Sequence, residues 1–160
     1  AESCTGGMIA ERITNVPGSS AVFGYGFVTY AEEAKQRLLG VDAALIQRYN
    51  VVSGPVAVAM AFGAARASGA ELAVGITGIA GPGGALPDKP VGTVYLAGAD
   101  ARTNRGWLLR LTLGGYHDRG IIRTRATLYA LDLLRRMALG LPVPDGMAVT
   151  PDDPADTLAI

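Results

Sequence analysis

The stretch Leu72-Ala73-Val74-Gly75-Ile76-Thr77, followed by Gly78-Ile79-Ala80-Gly81-Pro82-Gly83-Gly84, decides the fold. Its first six residues are an apolar run of strand length, which predicts a strand covered on both faces. Such a strand needs helices above and below its sheet, and the neighbouring segments supply them. Upstream, Ser53 stands before the small-residue stretch Pro55 to Ser68, which stops at Gly69 and predicts a long helix lying close to the sheet. Downstream, Val91 to Ala99 and Gly106 to Leu113 predict two strands, with the polar Asp100 to Arg105 between them as a hairpin turn. Ile122, Ala126, Tyr129, Ala130 and Leu133 recur at spacings of three and four, which predicts a last helix from about Asp118 to Leu139.

Nearer the start, Val22 to Tyr30 is rich in aromatic and β-branched residues and predicts a further strand. Glu32 to Leu39, stopped by Gly40, and Asp42 to Tyr49 predict two short helices. The expected class is therefore α/β: a three-layer α/β/α domain with a mixed, mostly parallel sheet, occupying residues 1–140. After Gly140, four prolines and the aspartates Asp145, Asp152, Asp153 and Asp156 predict a mobile or surface-draped tail over 141–160.

Composition narrows the function classes. The chain has 160 residues, 49% hydrophobic and 18% charged, which fits one globular domain with a filled interior. Lys plus Arg equals Asp plus Glu at 14 each, so no global field favours nucleic acid or an anionic membrane. No apolar run approaches the roughly 18–20 residues that span a bilayer. The single cysteine, Cys4, excludes a disulfide within the chain and fits a reducing cytoplasm. One Cys and one His, His117, do not make a Cys/His zinc site. Neither a metal nor a cofactor is expected.

Chemistry concentrates at Ala1-Glu2-Ser3-Cys4-Thr5-Gly6-Gly7, where two hydroxyls and a thiol precede two glycines and a helical pattern from Met8. The first N–H groups of a helix lack partners within it, so a nucleophile there lies beside donors for an oxyanion or a phosphate. The plain alternative is a Ser/Thr cap on a tight turn. The loop from Thr77 to Gly84 can wrap a phosphate with its N–H groups, or be a wide turn at a sheet edge. Lacking a terminal Lys-Ser/Thr, it is neither a P-loop nor a dinucleotide fingerprint.

Lys35 follows Tyr30 by five residues. It is either a solvated lysine or a partly desolvated base able to activate a serine. A Ser-His-Asp arrangement would need His117 with Glu2 or Asp118, whereas a Ser–Lys pair needs no histidine. Tyr30 either relays the proton or packs. Arg119 and Arg123 share a face near the start of the last helix, where cations oppose the dipole, so they either answer an anion or a partner carboxylate or are exposed, solvated arginines. Lys89, stiffened between Pro87 and Pro90, can face a phosphate.

Taken together, these segments resemble the C-terminal domain of the competence/damage-inducible CinA family, whose stand-alone members are PncC-like nicotinamide-nucleotide amidases. The resemblance rests on residues 1–7, Pro17-Gly18-Ser19-Ser20, Tyr30-x-x-Glu33-x-Lys35 with Leu38 to Gly40, and Val52-Ser53 with Ala57 to Met60. It continues through Thr77 to Gly84, Lys89 to Val94, and Asp118-Arg119 with Ile122-Arg123, covering about residues 1–139. It implies hydrolysis of the carboxamide of nicotinamide mononucleotide to nicotinic acid mononucleotide and ammonia. The family's serine–lysine chemistry falls on Ser3 and Lys35, with Tyr30 between them, and its backbone-donor segment on Thr5, Gly6 and Gly7. Ser19 and Ser20 match a second hydroxyl cluster, which leaves Ser3 and Ser20 both open as the partner of Lys35. Thr77, Gly78, Gly81, Gly83, Gly84, Lys89 and Arg123 match nucleotide-binding positions.

The resemblance further implies that a first strand and its preceding helix are missing here, and that many relatives carry a separate N-terminal domain. His117 stands where a small or glycine-like residue is expected. Three rival readings remain: Cys4 as nucleophile, a non-catalytic nucleotide-binding or regulatory module, and an oligomerisation domain using helix 55–68. The expected partners are a small nucleotide substrate and further copies of the chain, with no nucleic acid and no membrane.

Overall fold

The computed structural model describes residues 1–114 and 118–160. Helices α1 (Met8–Thr14), α2 (Glu32–Leu39), α3 (Ala43–Tyr49) and α4 (Gly54–Ser68) precede strands β1 (Leu72–Gly78), β2 (Thr93–Asp100) and β3 (Arg105–Thr112). Helix α5 (Arg119–Leu139) and the short strand β4 (Met147–Val149) follow.

Three layers form as expected, with α4 on one face of the sheet and α1 and α5 on the other. Side-chain alternation sorts the two cores. On β2, Val94 and Leu96 join Ile76, Ile122 and Ala126 on the α5 side. Tyr95, Ala97 and Ala99 join Ala57, Ala61 and Leu108 on the α4 side. Gly75 explains the intimacy of the α4 contact, because a Cβ there would meet Ala57 O and Ala61 N at 2.5 Å. Only a residue without a side chain lets the helix lie that close.

The sheet corrects the expected strand direction. Its order is β1-β2-β3-β4, and every pair of strands is antiparallel. Parallel neighbours need a crossover, usually a helix, whereas β1 reaches β2 by the glycine loop and β2 reaches β3 by a tight turn. The apolar run of β1 reflects cover by α4 and α5, which an antiparallel sheet can also receive. Among the described residues, parallel pairing is confined to Glu2, which bridges both Val28 and Ile76.

Two other expectations change. Val22 to Tyr30 is no strand: it pairs with Glu2 through Phe27 O and Thr29 N, and the rest, interrupted by Gly24 and Gly26, runs unpaired. Ser53 occupies the N-cap position of α4, but its hydroxyl donates to Asn50 O rather than accepting from the helix. The tail takes the draped form. It adds β4 beside β3, buries Val149 and Leu158 in the α4-side core, and ends with Tyr95 donating to Ile160 O at 2.8 Å. The apolar surface of α4 is largely consumed inside the chain, with eleven of its residues buried. Among the described residues, no helix is long and apolar enough to cross a membrane.

Candidate active site

Residues 1–3 run between β1 and the 27–29 segment, held by Ser3 N–H on Ile76 O (3.1 Å), Glu2 N–H on Phe27 O (2.7 Å) and Thr29 N–H on Glu2 O (2.8 Å). This backbone lattice delivers Ser3 to the top of α1. Lys35 reaches the same point from α2 and is fully buried. Its Nζ lies 3.2 Å from Ser3 Oγ, 2.6 Å from Thr29 O and 3.2 Å from Tyr30 O.

Burial lowers the Lys35 pKa, with Glu32 and Cys4 opposing the shift. Nζ donates to all three oxygens; with the amine neutral, two N–H bonds still satisfy the two carbonyls and the lone pair is left for the Ser3 hydroxyl proton. That is the geometry of a general base on a nucleophile. Tyr30 takes part through its carbonyl. Its side chain is exposed, and its hydroxyl accepts from Arg119 Nη2 at 3.3 Å rather than standing between Ser3 and Lys35.

The adjacent thiol is of another kind. Cys4 is buried, and burial pushes its pKa up to about 12. A helix N-terminus would lower it, but Glu2 has taken those donors. The buried Glu2 carboxylate accepts from Gly7 N–H (2.9 Å), Ile9 N–H (3.1 Å) and Ala10 N–H (2.9 Å).

The remaining amides of the turn divide clearly. Gly6 N–H donates to Ser3 O at 3.1 Å and Gly7 N–H to Glu2, so of the three expected donors Thr5, Gly6 and Gly7, the last two are spent inside the turn. Among the described residues, the Thr5 N–H meets no acceptor, and the Cys4 N–H faces only its own sulfur. The buried hydroxyls of Thr5 and Thr29 also lack partners among those residues.

Arg123 was expected to bind a nucleotide, yet it grips the turn itself: Nε donates to Cys4 O at 3.0 Å and Nη2 to Thr5 O at 2.9 Å. Arg119, one turn earlier, donates from Nη1 to Gly81 O at 2.8 Å and so ties the glycine loop to Tyr30. Within that loop, Thr77 is buried with its hydroxyl on Val51 O (2.9 Å), and Gly78 packs under Val94 and Thr93. Gly81 has φ +80° and Gly84 φ +87°, while Gly83 and Gly84 are exposed.

Three expected residues lie apart. Lys89 donates to Tyr49 O at 3.3 Å, at the end of α3. Ser19 and Ser20 form a short 3₁₀ turn, and Ser20 lines a cavity of about 680 Å³ with Phe23, Phe27, Leu72 and Leu134. The Nζ partners of Lys35 are Ser3, Thr29 and Tyr30, so the open choice falls to Ser3 over Ser20. His117 lies outside the described residues, and Asp118 caps α5 by accepting from Ile121 N–H at 2.8 Å.

Two participants, Glu2 and Arg119, were named in the sequence reading but not in the roles they hold. Glu2 lies five to eight residues before the amides it accepts, outside the spacing of a capping box, so no local signal marked it. Arg119 carried a signal, its i,i+4 relation to Arg123, but nothing local separates a loop-tying arginine from a solvated one.

The comparisons with known proteins agree with this architecture. The family model of the CinA C-terminal domain matches residues 1–138. A CinA-like protein of Desulfovibrio desulfuricans is 52% identical over 149 residues, covering 92% of this chain and 35% of the relative. One from Geobacter sulfurreducens is 55% identical over 139 residues, 87% of this chain and 33% of the relative. The chain thus spans about a third of the length of these curated relatives. Among solved structures, the competence/damage inducible protein CihA from Agrobacterium tumefaciens superposes with a TM-score of 0.81 at 43% identity, over 86% of this chain and 81% of that one. A CinA superfamily protein from Escherichia coli gives 0.78 at 31% identity, over 84% and 76%. By its sequence match and its fold alike, the chain belongs to the CinA C-terminal domain family.

Proposed function

We propose that the chain is an amidohydrolase acting by a Ser–Lys mechanism, and that its substrate is nicotinamide mononucleotide, deamidated to nicotinic acid mononucleotide and ammonia. The observation that carries this reading is the 3.2 Å approach of Lys35 Nζ to Ser3 Oγ, in a site where burial favours the neutral amine.

Neutral Lys35 takes the Ser3 proton as Oγ attacks the carboxamide carbon. The oxygen of the tetrahedral adduct becomes an anion, and the backbone donors nearest it along the chain are the free Thr5 N–H and the Cys4 N–H, which faces only its own sulfur. A well-placed donor of this kind contributes on the order of 3–4 kcal/mol. Collapse breaks the C–N bond, and Lys35 returns its proton to the departing ammonia. Lys35 then takes a proton from water, which attacks the acyl-enzyme and frees the acid and Ser3. Side chains and backbone amides supply every step. The substrate phosphate is assigned to the exposed rim where Arg119 meets Gly81 and Tyr30.

Ammonia release from nicotinamide mononucleotide, beside nicotinamide and its riboside, tests the proposal. The mononucleotide turns over fastest, and Ser3→Ala and Lys35→Ala each lose about a thousandfold or more in kcat while keeping the fold. Binding of the nucleotide without ammonia release would support a non-catalytic module instead.

A further inference from the structure

We infer that Arg123 is a positioning residue that presets the oxyanion site of Ser3, acting through two backbone carbonyls rather than on the substrate; this rests on the acyl-transfer reading above. A peptide group is planar and trans, so its C=O and the following N–H point in opposite directions. Holding one fixes the other. Nε of Arg123 on Cys4 O fixes the plane that carries the Thr5 N–H, and Gly6 N–H on Ser3 O fixes the plane that carries the Cys4 N–H. Nη2 on Thr5 O fixes the next plane as well. Three successive peptide planes are therefore anchored by their carbonyls, which leaves beside the nucleophile the Thr5 N–H without an acceptor and the Cys4 N–H with only its own sulfur.

Successive outward-pointing amides make an anion-binding concavity, and one held before the reaction needs no reorganisation as charge develops. Gly6 completes the device. It has φ +61°, and a Cβ there would stand 3.1 Å from Arg123 Nη2, so the glycine makes the turn and leaves room for the guanidinium. The planar fork of arginine holds two carbonyls at once, which the point charge of lysine does not. The placement also accounts for a cation in the opening turns of α5, where the dipole disfavours it: it answers carbonyl oxygens.

The test is phosphonylation of Ser3 by a fluorophosphonate. Ser3 Oγ bonds to phosphorus, its proton passes to Lys35, and the P–F bond breaks to release fluoride; the phosphonyl oxygen then takes the oxyanion position. Arg123→Ala slows Ser3 labelling about a hundredfold, with a matching fall in kcat on nicotinamide mononucleotide and KM within about threefold. Added guanidinium at millimolar concentration restores labelling about tenfold or more. Arg123→Lys, which keeps the charge, is folded and still slow, and it carries the same comparison should Arg123→Ala not fold.

Unchanged labelling in both variants, or a raised KM with kcat retained, overturns the assignment. Wild-type protein that labels at Ser3 in an Arg123-dependent way, yet releases no ammonia from the mononucleotide, sinks the substrate reading and leaves this one standing. Wild-type protein that does not label at Ser3 overturns both.

Discussion

Lys35 Nζ stands 3.2 Å from Ser3 Oγ across a sequence separation of 32 residues, inside a fully buried lysine environment. Burying an amine is costly in its charged form, so the pair ties reactivity to protonation. Predictions follow from the groups around it.

Burial lowers the Lys35 pKa from its ordinary 10.5. Between that lowered value and 10.5, the unfolded chain binds more protons than the native one, so stability rises with pH across the window. Below the window the full cost of the buried ammonium is present. Lys35→Met lacks this titration. The difference in urea midpoint between wild type and Lys35→Met should therefore move toward wild type as pH rises, and a difference independent of pH contradicts the assignment. The same ionisation places the acid limb of kcat/KM below 10.5.

Cys4, with its pKa pushed up to about 12, holds almost no thiolate at neutral pH. Cys4→Ala is expected to retain activity within about threefold and to cost about 1–2 kcal/mol of stability from a small core cavity. Iodoacetamide should leave the folded wild type active. Rapid inactivation with alkylation at Cys4 would speak for a thiol nucleophile.

Glu2 satisfies three amides at the start of α1 from a buried position. Glu2→Ala strands them and is expected to destabilise by about 3 kcal/mol, with Glu2→Gln intermediate because one acceptor oxygen remains. Chemical denaturation of the three proteins measures the series. Equal midpoints for Glu2→Ala and wild type would remove the carboxylate from the account of this turn.

The glycines separate into packed and open positions. Gly75→Ala drives a methyl to 2.5 Å from Ala57 O and Ala61 N in rigid helix α4. About 3 kcal/mol or more is expected to be lost by overpacking. Gly83→Ala meets nothing within 4 Å and stays within about 0.5 kcal/mol. Thermal unfolding of the pair discriminates; comparable losses would show that α4 does not lie on β1 as described.

What the sequence disclosed and withheld has a physical logic. The 3.6-residue period of α5, the small-residue stretch of α4 and the strand–turn–strand of 93–112 are local patterns, and the structure has them within a residue or two. The apolar run of β1 reported cover on both faces correctly, but strand direction depends on the connections. A glycine loop without a helix made them antiparallel. Residues 22–30 carried strand-forming side chains, and pairing came only beside Glu2.

At the site, Ser3 and Lys35 were legible as chemistry, whereas their meeting depends on backbone bonds to Ile76, Phe27 and Thr29 that no local pattern encodes. The same limit hid the targets of Arg123. A sequence names the donor, but the carbonyls of Cys4 and Thr5 carry no residue-specific mark.

The most direct measurement is the site of the acyl intermediate. Protein quenched in acid during turnover of nicotinamide mononucleotide, then digested and mapped by mass spectrometry, should carry the nicotinoyl nucleotide on Ser3, with no adduct in Ser3→Ala or Lys35→Ala. An adduct on Cys4, or full ammonia release from Ser3→Ala, contradicts the Ser3–Lys35 mechanism.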